Sequence, residues 1–165
     1  MPRLLDKAGN TIEHDLWQIL PEDFAGGLIN THQLAPLESW LKQRNGKSGQ
    51  QAPGVWLNSD DEPEALTDHY PELSCIGIRF ATFMDGRGFS LARLIRERYA
   101  YQGELRAFGY IIPDQLFFLA RCGFDTFLLD TTPAQDFNPQ PYFNDFTVTY
   151  QGCVDQPQPL FRRRS

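Results

Sequence analysis

The sequence predicts an α/β fold in which repeated βαβ units form a small, mainly parallel sheet or a partial β/α barrel. Short apolar runs recur near positions 55, 76, 105 and 127, and segments with helical spacing or helix-start signals separate them. Strands that alternate with helices in this way pair in parallel through right-handed crossovers. A chain of 165 residues suits one domain with a sizeable core. It is too short for a full eight-unit barrel, which takes roughly 250 residues.

Residues 1–52 read as a peripheral N-terminal segment of this single domain. They offer a turn at Lys7–Asn10, a short strand over Leu16–Leu20 and a short helix within Leu34–Gln43, where Leu37, Trp40 and Leu41 share a face. The Gly, Ser, Asn and Pro content of 45–53 marks an exposed loop. The βα core spans 54–130. Val55–Leu57 is its first strand, the acidic stretch Asp60–Tyr70 a candidate helix, and Cys75–Phe80 the second strand. Ser90 is placed to cap a helix carrying Leu91, Leu94, Ile95 and Tyr99, which Gly103 ends.

Leu105–Phe108 is the third strand. Pro113 fits the first turn of the next helix, and Asp114 there complements the helix dipole. Leu116–Ala120 is apolar all round, which implies deep burial, and Gly123 is suited to a left-handed cap. Phe127–Leu129 is the fourth strand, followed by a Pro-containing loop over Thr131–Pro141. Within 142–151, Phe146, Val148 and Tyr150 alternate with Thr147 and Thr149 as an edge strand does. Residues 152–165 read as a tail, mobile from Phe161 onward.

The net charge is −6, with the excess of carboxylates concentrated in residues 1–75. Such a chain lacks the broad basic face that a phosphate backbone requires, so nucleic acid is not an expected partner. No apolar run approaches a membrane span of roughly 18 residues, and Met1–Asp6 does not open a signal peptide. The expectation is a cytoplasmic protein with no membrane association. Cys75, Cys122 and Cys153 are far apart and without a Cys-x-x-Cys pair, so they read as reduced thiols, Cys122 as a packing residue. His14, His32 and His69 lack ligand spacing, and no metal site is expected. Gly86–Leu91 begins like a dinucleotide fingerprint but lacks its third glycine, and there is no Walker loop.

Ligands of parallel α/β sheets sit beyond the carboxyl ends of strands. Two loops there are chemically distinctive. In Phe83–Ser90, Gly86 and Gly88 permit tight turns, Arg87 adds a guanidinium, Asp85 a carboxylate, and the helix start presents unpaired N–H groups through Ser90. One reading is a site for a small anion or a partner's carboxylate. The other is a tight turn in which Arg87 simply pairs with Asp85. In Gly109–Gln115, Asp114 and Gln115 could face the same rim or merely stabilise a helix start. Arg79 and Arg106 lie mid-strand, where a buried guanidinium needs a hydrogen-bonded acid. Arg93 stands one turn before Glu97, the spacing of an ion pair.

Phe83-x-Asp85-Gly86-Arg87-Gly88-Phe89-Ser90-x-Ala92-Arg93, Gly103–Ala107, Asp114-Gln115 and Arg121–Asp125 occur in one order. As a set, over roughly Val55–Leu129, they resemble the DUF934 family, small bacterial proteins of unknown function whose genes accompany assimilatory sulfite reductase. Members are described as probable oxidoreductases involved in sulfite reduction. Tyr110 and Ile111 depart from the more polar turn expected of the motif. The resemblance implies sulfite reductase as partner, and it meets the reading of the loops at a small sulfur oxyanion, for which Gly86, Arg87, Gly88, Ser90, Arg79, Arg106 and Gln115 are the candidate anion- or partner-binding residues. Electron transfer needs a cofactor, and the sequence carries no motif for siroheme, an iron–sulfur cluster or nicotinamide. An accessory role is therefore the first expectation. The alternative is a stand-alone enzyme with Asp85 or Asp114 as acid–base group and Arg87 or Arg106 as anion clamp.

Overall fold

Six strands follow one another in parallel, each laid beside its predecessor, and the first strand of the chain closes one edge in the opposite sense. In the computed structural model, which describes residues 2–44, 53–82, 84–130, 137–144, 151–159 and 162, they are β1 (Arg3–Asp6), β2 (Gln18–Ile19), β3 (Gln33–Pro36), β4 (Gly54–Asn58), β5 (Cys75–Phe80), β6 (Glu104–Gly109) and β7 (Thr126–Leu129). The order across the sheet is β1-β7-β6-β5-β4-β3-β2. Monotonic parallel winding curls the sheet into a half-barrel, the partial β/α barrel expected from the spacing of apolar runs. Helices α1 (Leu37–Arg44), α2 (Arg87–Glu97) and α3 (Leu116–Arg121) form crossovers, and α4 (Gln140–Phe143) follows β7. No helix among the described residues is long and apolar enough to cross a membrane.

Alternation along the strands separates two cores. Ile76, Ile78 and Phe80 of β5, Leu105 and Ala107 of β6, and Phe127 of β7 face the helices, where they meet Leu91, Ala92 and Ile95 of α2 and Leu116 and Leu119 of α3. The other face is smaller. Leu34, Trp56, Cys75 and Phe108 cluster there beneath Trp17 and Ile19, and the Trp56 indole donates to the Leu20 carbonyl at 3.0 Å. A Cβ on Gly77 would lie 3.0 Å from both the Phe108 ring and Trp56, so this position of β5 is tightly enclosed.

Several local expectations are corrected. Residues 2–44 supply both edges of the sheet, β1 on one side and, on the other, β3 and β2, the latter within the strand expected over Leu16–Leu20. Their strands are two to four residues long, too short for alternation to be legible. Asp60–Tyr70 is not an α-helix. It holds a 3-10 turn at Pro63–Leu66, with another at Tyr70–Glu72, and each has a proline in its first positions. Helix α2 begins at Arg87, leaving Ser90 inside it, because the Asp85 carboxylate already accepts the Arg87 N–H at 3.2 Å. It ends at Glu97, and the left-handed residue after it is Ala100, not Gly103.

The α3 segment is not buried all round, since Phe118 is 48 % exposed. Gly123 does take the left-handed conformation. Within 142–151, Tyr142 and Phe143 belong to α4, and Phe146–Tyr150 lies outside the described residues. Of the segment read as a tail, the start is docked: Cys153 is buried and the Val154 N–H donates to the Arg121 carbonyl.

Candidate functional site at the carboxyl rim

β5 and β6 are adjacent and parallel, so the loops leaving them emerge side by side at one end of the sheet. The Tyr110 N–H donates to the Phe80 carbonyl at 2.8 Å, tying the two loops at their roots. A third element joins them from β4, where the buried Ser59 hydroxyl donates to Asp85 Oδ2. Arg87 lays its fork on the same carboxylate, Nε to Oδ1 at 2.9 Å and Nη2 to Oδ2 at 3.0 Å. Asp85 is thus the hub of the rim. Hydrogen bonds from Arg87 and Ser59 hold its carboxyl well below the usual range, so it is ionised at neutral pH and is a poor proton donor there.

The glycines of this loop have unequal duties. A Cβ on Gly88 would stand 2.6 Å from the Phe80 ring, so Gly88 lets α2 pack on β5. Gly86 has φ −75, and a Cβ added there would meet nothing within 4 Å, so no steric demand requires glycine. In the second loop Gln115 accepts the Ile112 N–H at 3.1 Å, a helix-start contact, and Asp114 is exposed in the 3-10 turn Pro113–Gln115.

Arg79 reaches Glu22 at 2.5 Å and lies over the Trp56 ring at 5.8 Å, on the smaller face near the same rim. Its hydrogen bond holds the Glu22 carboxyl below its ordinary value. A cavity of about 290 Å³ beside it is lined by Glu22, Glu38, Asp61, Asn58 and Trp56. Burial pushes the Asp61 carboxyl up, against the lowering effect of the Asn58 N–H that it accepts.

Arg106 does not join the rim. It sits toward the amino ends of the strands, 2 % exposed, with Nε and Nη2 on Glu104 and Nη1 on Asp15 at 2.7 Å. Glu104 also accepts the Thr126 hydroxyl at 2.6 Å. Ser90 is likewise elsewhere, on the exposed side of α2 beside a separate cavity. The rim therefore gathers Asp85, Gly86 and Arg87 with the 110–115 loop and has Arg79 near it, while Arg106 serves the opposite end.

A family model described as a bacterial protein of unknown function, DUF934, matches residues 54–161. The chain belongs to the DUF934 family. Neither a curated protein nor a solved structure matches it. The family span of this DUF934 protein starts at β4 and takes in both rim loops, leaving β1, β2, β3 and α1 outside it.

Four apolar residues of the rim escape a reading of the sequence alone. Met84 (80 % exposed), Tyr110, Ile112 and Phe118 project from the two rim loops and the first turn of α3. Phe118 is backed by Phe89 of α2, with ring centroids 5.0 Å apart. The departure from the family motif at Tyr110 and Ile111 was the available signal. Ile111 is buried and Tyr110 is exposed. Among the described residues, no group of three or more His, Cys, Asp or Glu side chains is arranged to hold a metal ion.

The depressed Asp85 carboxyl has a pH consequence. Its stabilising contribution is fully present above the unfolded value of about 4 and is lost as pH falls toward the lower folded value. Thermal melts across the acid range should show a steeper loss for the wild type than for Asp85→Asn. Identical acid limbs would mean that the Arg87 and Ser59 contacts do not persist in solution.

Proposed function

We propose that this protein is a non-catalytic accessory component of assimilatory sulfite reduction, cytoplasmic, which docks on sulfite reductase through its carboxyl rim. The supporting observation is the exposure of Met84, Tyr110, Ile112 and Phe118 on the two loops that carry the family motif. Apolar side chains grouped at one end of a sheet favour burial against another protein. The choice of partner rests on the resemblance in the motif set.

Free oxyanion binding has less support. The Arg87 fork and the first N–H of α2 are already spent on Asp85, and carboxylates of Glu22, Glu38 and Asp61 line the neighbouring cavity. An added anion would have to displace an internal one. The enzyme alternative has less support again, with Asp85 held ionised and Arg106 at the other end of the strands.

The test is retention of sulfite reductase by the immobilised protein. Ile112→Asp combined with Phe118→Asp should reduce retention at least about tenfold while the protein still melts cooperatively, since Ile112 is 39 % and Phe118 48 % exposed and only the contact with Phe89 is lost. Leu28→Asp, at an exposed apolar residue beside the carboxyl end of α1, should retain the partner fully. Equal retention by all three proteins would reject the rim as the docking face. Calorimetric titration with sulfite should give no heat of binding; saturable binding abolished by Arg87→Lys would transfer the reading to an oxyanion site.

A further inference from the structure

We propose that Cys122 and Cys153 form a dithiol–disulfide couple, a redox-sensitive clasp between the end of α3 and the 151–156 segment that is oxidised by a small-molecule disulfide. The two residues are far apart in sequence and have no spacing motif, so only the fold brings them together. Helix α3 ends at Arg121, whose carbonyl accepts the Val154 N–H at 3.1 Å. That bond sets residue 153 against residue 122, the close backbone approach a cross-link requires. Arg121 also donates to the Gln151 carbonyl at 2.7 Å and to Asp155 at 3.2 Å, and the Cys153 N–H donates to the Gln156 carbonyl.

Both thiols line a cavity of about 130 Å³ that Phe89, Ser90 and Arg93 share. Ser90 and half of the Arg93 side chain are open to solvent, giving the cavity a mouth beside the ion pairs Arg93–Glu97 and Arg121–Asp155. Cys75 has no such setting. It is fully buried on the smaller face of the sheet, in a cluster with Leu34, Trp56 and Phe108.

The chemistry is two sequential exchanges. One cysteine, having released its proton, attacks a sulfur of RSSR, forms a mixed disulfide and expels RS⁻, which takes up a proton. The second cysteine loses its proton, attacks the protein-side sulfur and expels the second RS⁻. Two thiols and one RSSR become one Cys122–Cys153 disulfide and two RSH, so two electrons pass from the protein to the small molecule. Burial, reinforced by the neighbouring Cys153, pushes the Cys122 thiol up to about 12, while Arg93 and Arg121 pull it back. Thiolate is therefore scarce near neutrality, and exchange should accelerate roughly tenfold per pH unit below that value.

The full chain, incubated with oxidised glutathione and then alkylated in denaturant, supplies the test. The expected product has two alkylation sites fewer than the reduced protein, a Cys122 peptide joined to a Cys153 peptide, and Cys75 fully alkylated. Its melting temperature should rise by about 5–10 °C and return on reduction. Oxidation should not cross-link Cys153→Ala or shift its melting. Three free thiols after prolonged incubation at about pH 9, stable glutathione adducts without a 122–153 link, or a link involving Cys75 would each overturn the proposal. The assay reads thiols and melting only, so its outcome does not depend on whether the rim docks sulfite reductase.

Discussion

Arg106→Met should destabilise the protein by about 3–5 kcal/mol, the loss expected when one member of a buried ion network is removed and the others stay. Burial alone would push the guanidinium pKa down. Its hydrogen bond to Asp15 and the charge of Glu104 more than offset that, and the group sits above its ordinary value. Methionine restores much of the apolar volume but leaves Glu104 and Asp15 facing each other without a cation. Asp15 adjoins Trp17, which packs over the smaller face, so its release should also loosen that cover. The check is denaturant unfolding followed by tryptophan emission, with Arg106→Met compared to the triple variant Arg106→Met, Glu104→Gln, Asp15→Asn. Recovery of about half the loss in the triple variant would identify unpaired charge as the cause. A single-variant loss below about 1 kcal/mol would mean that water reaches the network and screens it.

The same arginine shows where sequence reasoning stops. A mid-strand guanidinium demanded an acid, but Asp15 comes from the segment between β1 and β2, about ninety residues away in sequence, and could not be paired by spacing. The side of the sheet was legible, since residues two apart share a face, whereas the end was not. Arg106 follows the start of β6 by two residues and so belongs to the amino end, while Arg79 precedes the end of β5 by one. The parallel core was readable because strand-length apolar runs recur with helical segments between them. Of the edges, β2 lies within the strand read over Leu16–Leu20, but β1 and β3 were not readable, because β3 owes its conformation to pairing with neighbours rather than to its own pattern. For the rim, both loops were visible in the sequence, and the pairing of Arg87 with Asp85 was one of the two open readings. The exposure of Phe118 was hidden by a uniformly apolar helix, whose pattern does not say which side lacks a neighbour. Cys122 and Cys153 carried no spacing signal, since a docked C-terminal segment joins them.

Gly109→Ala is expected to be the second severe change, about 2–4 kcal/mol, and the one that couples stability to the rim. Gly109 ends β6 with φ +94, a region that side chains rarely adopt, and a Cβ there would lie 2.5 Å from the Phe80 carbonyl oxygen. That oxygen is the acceptor for the Tyr110 N–H, so relieving the clash means breaking the bond that roots the two loops together. The Ile111 N–H, bonded to the Gly109 carbonyl, must follow. Alanine should therefore lower the melting temperature and also weaken sulfite reductase retention, because Tyr110 and Ile112 move with the loop. Gly86→Ala is the matched comparison in the partner loop. Its backbone is ordinary and its Cβ position open, so the expected cost is below about 1 kcal/mol with retention intact. If Gly109→Ala melts like the wild type, the left-handed turn at the end of β6 is not what holds the loops. If Gly86→Ala loses the partner while remaining folded, the partner's backbone approaches that glycine, and the docking face extends onto the start of α2.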